Sequence, residues 1–310
     1  MDRQHELGAS VPANLLLVGE YAVTEEGGLG IALAPEVRAA AVMTIPEGDE
    51  RPRVRGIFPG GTASWPGDSG VLGRVCEFLH DTIGPLRGDI TVDTSELFTP
   101  EGRKRGFGSS AAMTASLTAL WLASSGSARE RNRPVADDVV TTAIAAHRTA
   151  QDGRGSGYDV ATSTIGGVVL FTGGEKPRAR RVELPWLPPV KVFAGSAAVA
   201  TSGAVGRYTR WKAHEPGEAE RFLARSNEIV GRLVSVGTWE EARPLLVEYR
   251  ELTATLGAAI GVSARLVPPR RISPTAFWKP VGAGNELGVI LGAAGAGNAV
   301  PIAPEGLRWR

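Results

Sequence analysis

Lys104-Arg105-Gly106-Phe107-Gly108-Ser109-Ser110-Ala111-Ala112-Met113 sets two glycines and two serines directly before an apolar, Ala-rich run, residues 113–122. Gly106 and Gly108 let the backbone turn tightly and approach a ligand closely. The serines can cap a helix and offer hydroxyls. A helix N-terminus, with free N–H groups and the positive end of the dipole, attracts anions. The stretch therefore has the makings of a phosphate cradle with Lys104 and Arg105 beside it, although a plain helix cap has the same local pattern. It is not a Walker A loop, because no Lys-Ser/Thr pair closes it. Gly106-x-Gly108-x-x-Ala111 fits a dinucleotide fingerprint, but that fingerprint needs a strand running into it and an acid at the end of the next strand. Here a polar loop, residues 99–105, precedes it and a charged segment, residues 124–133, follows its helix.

Other stretches have comparable chemistry. Gly19-Glu20-Tyr21-Ala22-Val23 ends a short apolar run. Asp152-Gly-Arg-Gly-Ser156-Gly157-Tyr158-Asp159 carries a carboxylate in a Gly-dense turn, where Asp is by default a turn or capping residue. Lys279-Pro-Val-Gly282-Ala283-Gly284-Asn285-Glu286 opens onto a further apolar run. Three Gly-rich loops, bringing Glu20, Ser109 with Ser110, and residues 282–286, can wall one phosphate-binding cleft, with Asp159 between them. Gly67-Asp68-Ser69-Gly70 echoes a serine-protease nucleophile region by chance, since no His-containing partner motif accompanies it. His5, His80, His147 and His214 lack metal-ligand spacing. His147 reads as a helix-packing residue that orients the Gly-dense turn.

The elements that must position these groups follow from periodicity. Residues 14–18, 30–33 and 38–44 read as strands, the last two separated by Pro35. Residues 46–68 form a Pro/Gly/Arg-rich surface loop with room for one hairpin. Val71, Leu72, Val75, Phe78 and Leu79 recur at helical spacing over 70–83. Residues 88–97 alternate as a strand. A second helix, 135–151, starts behind Pro134 with Asp137 and Asp138 in its first turn. Residues 166–171 and 190–194 are strands, and the basic, Pro-rich segment 176–189 between them is the expected linker. Residues 198–212 are polar with a helical tail. Phe222, Ile229, Val230 and Leu233 stripe one amphipathic helix. Trp239, Ala242, Leu245, Leu246, Tyr249, Leu252 and Leu256 stripe the next. Residues 287–294 begin a buried strand or helix, and a short strand or tail ends the chain.

With 310 residues the chain has room for two modest domains or one large one. A net charge of +1, without any basic run interleaved with aromatics, gives no case for nucleic acid. The lone Cys76 excludes an internal disulfide and fits a reducing compartment. Residues 1–10 are polar, with no signal-peptide core, and no apolar run is long enough for a bilayer. The expectation is a soluble cytoplasmic protein with a small-molecule partner, a monomer or homodimer.

Taken in order, the motifs Pro12-x-x-Leu-Leu-Leu-x-Gly19-Glu20-Tyr21-Ala22-Val23, Gly106-Phe-Gly-Ser-Ser-Ala-Ala112, Ser156-Gly-Tyr-Asp159-Val-Ala and Lys279-Pro-x-Gly-Ala-Gly284 resemble the GHMP kinases. These are small-molecule kinases for galactose, homoserine, mevalonate and phosphomevalonate, and the resemblance spans about residues 12–291. Gly-Glu-Tyr-Ala-Val, Lys104, His147-x-x-x-Gln151 and Thr201-Ser202 followed by Trp211-Lys212 look most like phosphomevalonate kinase. The resemblance implies an α+β, two-domain GHMP kinase fold. Residues 1–185 would form a domain like domain 2 of ribosomal protein S5, with a left-handed crossover. Residues 186–310 would form a ferredoxin-like domain, with the ATP cleft between the two. It implies ATP and Mg²⁺ as cofactors and isoprenoid biosynthesis as the setting. Mevalonate or another small alcohol is the alternative acceptor, and a non-catalytic binding or regulatory protein on this scaffold is the alternative of another class.

By the same resemblance, Gly106, Phe107, Gly108, Ser109, Ser110, Ala111 and Ala112 would wrap the ATP phosphates, with Ser110 also on Mg²⁺. Lys104 would sit beside the transferring phosphoryl group, and Asp159 would face the acceptor hydroxyl. Asn14, Glu20, Tyr21, Ser156, Gly157, Arg207, Gly282, Ala283 and Gly284 would line the substrate side. Arg154 and Lys212 are further candidates for a substrate anion by charge. Asn14 stands where the family usually has Lys, and Asn285-Glu286-Leu287 where it usually has Gly-Gly-Asp. Arg148 replaces a metal-binding Glu of mevalonate kinases, which leaves Gln151, Asp152 or Glu20 as second Mg²⁺ ligand.

Overall fold

A computed structural model describes residues 6–45, 51–125, 133–195, 201–262, 266–269, 272–281, 287–292 and 297–310. Gly282, Ala283 and Gly284, expected to line the substrate, lie outside the described residues, as do Asn285 and Glu286. In chain order the strands are β1 (Glu6–Pro12), β2 (Leu15–Val18), β3 (Leu29–Leu33), β4 (Arg38–Thr44), β5 (Val54–Phe58) and β6 (Gly61–Trp65). Helix α1 (Val71–Ile83) and strand β7 (Asp89–Asp93) lead to helices α2 (Ser109–Ser125), α3 (Ala136–Ala150) and α4 (Tyr158–Ile165). Strands β8 (Val168–Thr172), β9 (Arg178–Val182) and β10 (Val190–Ala194) precede helices α5 (Thr201–His214), α6 (Pro216–Ser235) and α7 (Trp239–Ala259). Strands β11 (Phe277–Val281), β12 (Leu287–Leu291), β13 (Asn298–Ala299) and β14 (Arg308–Trp309) complete the chain.

These elements group into two compact units that interleave in sequence. The first takes Met1–Asn14, Ala34–Gly167 and Ala303–Arg310; the second takes Leu15–Leu33 and Val168–Ile302. Residues 15–33 and 168–185 thus group with the C-terminal part of the chain.

In the first unit a six-stranded sheet runs β14-β1-β4-β7-β5-β6, antiparallel except where β5 meets β7. Alternation drives one face inward: Met43, Ile90 and Val92 meet Leu72, Val75, Cys76 and Leu79 of α1 and Leu117, Leu120 and Trp121 of α2. Trp121 is fully buried and its indole donates to the Gly84 carbonyl at 3.1 Å, so the ring carries no unsatisfied polar atom. α2 is buried nearly all round, which is why its sequence is apolar and small rather than amphipathic.

The second unit holds the four-stranded sheets β2-β3-β8-β9 and β11-β12-β10-β13. The latter has its first strand, β10, between its third and fourth, the order of a ferredoxin-like sheet. The α6 stripe, Phe222, Ile229, Val230 and Leu233, is buried as expected, and so are Ala242, Leu245, Leu246, Tyr249 and Leu256 of α7. A capping box closes the start of α7, with Thr238 accepting from the Glu241 N–H and Glu241 from that of Thr238. Among the described residues no helix is long and apolar enough to cross a membrane.

Two local expectations are corrected, and two elements appear where none was assigned. The polar N-terminus contains β1, whose pairing with β4 from Glu6↔Thr44 to Pro12↔Arg38 supplies the order its composition does not. The expected linker 176–189 contains β9, an edge strand on β8 with exposed Arg178, Arg180 and Arg181, as suits an unpaired edge. The strand expected over 88–97 ends at Asp93 and passes into a 3₁₀ turn, Ser95–Leu97. The Gly-dense stretch after Asp152 opens into helix α4.

Candidate functional site

In the first unit the Gly-rich stretch forms a turn leading into α2. Gly106 and Gly108 take φ of 78° and 68°, a left-handed backbone that side chains disfavour. At Gly108 the close approach is visible: a Cβ there would lie 2.2 Å from Asn14 Oδ1. Asn14 is buried; its amide donates to the Gly108 carbonyl at 3.3 Å and to the Ser163 hydroxyl at 3.0 Å, and its backbone N–H donates to the Phe107 carbonyl at 3.1 Å. The loop is thus pinned from behind, and the first N–H groups of α2, at Ser109, Ser110 and Ala111, have no acceptor in their own helix. Lys104 is exposed and pairs through its backbone with Phe98, and Arg105 donates to the Phe98 carbonyl at 2.8 Å.

Ser110 faces α3. Its hydroxyl lies 3.3 Å from Nε2 of His147, and the same nitrogen lies 3.0 Å from the Gln151 amide nitrogen. The other ring nitrogen, Nδ1, lies 3.7 Å from Asp159 Oδ2. Asp159 sits in the first turn of α4, its Oδ1 accepting from the Val160 N–H at 2.9 Å, a placement that suits a carboxylate at a helix N-terminus. Gly157 makes that turn possible: it is left-handed, and a Cβ there would meet Ile144 at 2.7 Å. The Ser156 hydroxyl accepts from the Tyr158 N–H at 3.3 Å. Arg148 clamps the turn, donating to the carbonyls of Gly155 at 3.0 Å and Ser156 at 2.6 Å. Burial lowers the Arg148 pKa from its ordinary value, and the charge of Asp159 opposes that shift. Asn14, Ser110 and Asp159 are therefore brought together in one unit, with Ser156 and Gly157 supporting them. Lys104 stays on an exposed turn.

Glu20, Tyr21 and Arg207 belong to the second unit. The Glu20 carboxylate is ion-paired with Lys279, both buried, and the ammonium also donates to the Leu17 carbonyl at 3.0 Å and faces the Tyr249 ring. Burial lowers the Lys279 pKa from its usual value, against the charge and hydrogen bond of Glu20. Tyr249 is pushed well above the ordinary phenol range by burial and then by Glu20, and its hydroxyl accepts from the Gly19 N–H at 2.6 Å. Tyr21, at φ 64°, stacks on Tyr208; burial first and Glu20 second push its pKa up to about 12, while Arg207 opposes them. Arg207 donates to the Gly261 carbonyl at 2.7 Å, and Lys212 pairs with Glu25.

The three residues considered for a second Mg²⁺ contact have other partners. Gln151 is on His147, Asp152 pairs with Arg74 at 2.8 Å, and Glu20 is on Lys279. Among the described residues no group of three or more His, Cys, Asp or Glu could hold a metal ion. The Ser110 hydroxyl is a hard oxygen donor that fits Mg²⁺ arriving with phosphates, since this ion needs only one or two protein oxygens. Sequence reasoning missed Arg148 as a clamp and Lys279 as the buried partner of Glu20. The signal for the first was a cation where a metal-binding acid is usual; for the second it was the Lys279-Pro280 pair beside a Gly-rich stretch.

No family model and no curated protein matches the sequence. Solved structures do match the fold. Over 99% of this chain and 99% of the other, it superposes on a Lin0012 protein from Listeria innocua with a TM-score of 0.78 at 18% identity. Streptococcus pneumoniae phosphomevalonate kinase, solved with phosphomevalonate and AMPPNP, gives a TM-score of 0.72 at 16% identity, covering 93% of this chain and 92% of that one. L. major mevalonate kinase, in complex with R-mevalonate, gives 0.65 at 17% identity, covering 92% and 86%. Two interleaved α+β units, a Gly-rich turn opening a buried helix and a carboxylate at the start of α4 are thus arranged in the fold of the GHMP small-molecule kinases.

Proposed function

We propose that the chain is an ATP-dependent small-molecule kinase, with the phosphate group of phosphomevalonate as its acceptor and diphosphomevalonate as product. One observation supports this above the rest: Ser110 at the start of α2 and Asp159 at the start of α4 face the same imidazole, on a fold shared with a kinase solved with phosphomevalonate and AMPPNP. The likeness to mevalonate kinase keeps mevalonate as the second acceptor.

On this reading the backbone of residues 106–112 wraps the ATP phosphates, with the free N–H groups of α2 directed at the anion. Asn14 holds that loop in place from behind. Asp159 orients the acceptor oxygen, a phosphate oxygen in phosphomevalonate or a hydroxyl in mevalonate, and takes any proton it carries as that oxygen attacks the γ-phosphorus. The new O–P bond forms as the bond to the β–γ bridging oxygen breaks, ADP leaves, and any proton taken passes from Asp159 to solvent. Phosphoryl transfer depends mostly on positioning and charge neutralisation, which these groups supply. Mg²⁺, held through Ser110, would add positive charge at the phosphates. Lys104 approaches the transferring group from its exposed turn. Ser156 and Gly157, in the same unit as Asp159, belong to the acceptor side.

A coupled ADP-release assay over phosphomevalonate, mevalonate and other small alcohols tests the reading. Fastest turnover on phosphomevalonate supports it, and fastest turnover on another alcohol replaces the acceptor. Bound ATP with no turnover on any acceptor overturns it in favour of a binding protein.

A further inference from the structure

We propose that His147 is a positioning residue whose ring, as the Nδ1–H tautomer, fixes the Ser110 hydroxyl and the Asp159 carboxylate together. The inference rests on the kinase reading, which gives those two oxygens their work. His147 lies in the last turn of α3 and is 3% exposed, so its ring has no solvent to satisfy it. Its nitrogens reach two different helices: Nδ1 is 3.7 Å from Asp159 Oδ2, and Nε2 is 3.3 Å from Ser110 Oγ. A residue that served only to pack would be replaceable by any side chain of similar size and would not aim both nitrogens at oxygens.

The tautomer follows from the partners. The Gln151 amide nitrogen, 3.0 Å from Nε2 and one helical turn along α3, only donates, so Nε2 is the accepting nitrogen of the neutral ring. Nδ1 therefore carries the proton, turned toward Asp159 in a charge contact too long for a hydrogen bond. The Ser110 hydroxyl, 3.3 Å from Nε2, shares that nitrogen's single lone pair as the longer branch of a three-centre bond, which turns its proton toward the ring and its oxygen lone pairs away from α3. A hydroxyl held this way presents only acceptors to a cation. On the other side Asp159 is kept from rotating freely, because Oδ1 is on the Val160 N–H and Oδ2 faces His147. Arg148 holds the turn beneath through the Gly155 and Ser156 carbonyls. One ring thus sets the distance between an oxygen for the phosphates and an oxygen for the acceptor, and Gln151 sets the ring.

Two measurements on the full chain test this. The ring ¹⁵N resonances of labelled histidine, assigned by their loss in His147→Asn and recorded at alkaline pH without nucleotide, should show protonated Nδ1 and bare Nε2. A protonated Nε2 overturns the proposal, whatever the chain catalyses. The second measurement compares ATP affinity with and without Mg²⁺ in two variants. His147→Gln places an amide near the Nε2 position and should retain the Mg²⁺-dependent gain; His147→Asn reaches only the Nδ1 position and should lose about 10–100-fold of it. Equal gains in the two variants overturn the proposal. A wild-type chain that turns over no acceptor defeats the kinase reading alone, and the ring resonance then decides the role of His147.

Discussion

Asn14 and Ser163, 149 residues apart in sequence, meet at 3.0 Å, with the amide of one donating to the hydroxyl of the other. The same amide reaches the Gly108 carbonyl, so one buried side chain joins the lead into β2, the Gly-rich turn and α4. Asn14 acts as a structural brace. Asn14→Ala is expected to leave the Ser163 hydroxyl without its donor and to cost about 1–3 kcal/mol of stability. Asn14→Lys should also lower the unfolding midpoint, because a longer cation must fit an enclosed site. Thermal unfolding of both variants is the check, and a midpoint above wild type for Asn14→Lys would show that the site accepts the cation.

Gly108→Ala should weaken nucleotide binding and stability together. The left-handed backbone costs a Cβ residue about 1–2 kcal/mol, and the new methyl collides with the Asn14 amide. Adding Asn14→Ala removes the collision and leaves the backbone cost, so the double variant should be more stable than the sum of the singles predicts. Denaturant titration of the four proteins gives the coupling directly, and strict additivity would count against the close approach.

Asp159→Asn keeps the shape and the Val160 contact but removes the base. Turnover on the best acceptor should fall by about 10²–10⁴-fold while ATP affinity is spared. Steady-state kinetics with direct nucleotide binding separates the two effects. Near-normal turnover would remove Asp159 from the reaction.

Lys279→Met strands the Glu20 carboxylate in a buried place, with one oxygen already lacking a partner among the described residues. Removing one member of such a pair costs about 3–5 kcal/mol, and the added change Glu20→Gln should recover much of it. Equal stability of the single and double variants, measured by urea unfolding, would contradict the pairing.

The tyrosines predict an alkaline limit. Tyr21 titrates near 12 when folded and at 10.0 when free, so between those values the folded state holds a proton that the unfolded state has lost. Its contribution is complete below pH 10.0 and disappears as pH rises through about 12. Tyr249 acts in the same direction, whereas Lys279, lowered by burial, makes stability rise as pH approaches the ordinary lysine range. Urea midpoints across this window should decline less steeply in Tyr21→Phe than in wild type, and parallel curves would assign the decline elsewhere.

Much of the fold was legible because local pattern and tertiary demand agree. The alternation of β7 and the stripes of α6 and α7 each state which face is buried, and the small apolar residues of α2 state that nearly all of it is. The misses share a cause. β1 and β9 carry little apolar signal of their own, one a run of mostly small side chains and the other a basic edge, and both are strands because of the neighbour they pair with. α4 has only eight residues, too few for a period to show behind three glycines. In the site, Gly106, Gly108 and Asp159 are marked by residue type, since unusual backbone and a lone carboxylate stand out in a sequence. The linkage of Ser110 to Asp159 through His147, and of Glu20 to Lys279 over 259 residues, depends on distances that no local spacing encodes.

The pairing of β14 with β1, Trp309 on Ala9 and Arg308 on Ser10, bears on how the chain is made. Arg38 holds the carbonyls of Glu305 and Gly306, and the Leu307 N–H donates to the Thr164 carbonyl at 2.8 Å. Residues 303–310 are made after every segment of the second unit, so the first unit cannot be complete before them, however early its other segments emerge. The unit that carries Ser110, His147 and Asp159 therefore has its first strand waiting for the residues that serve as its keystone.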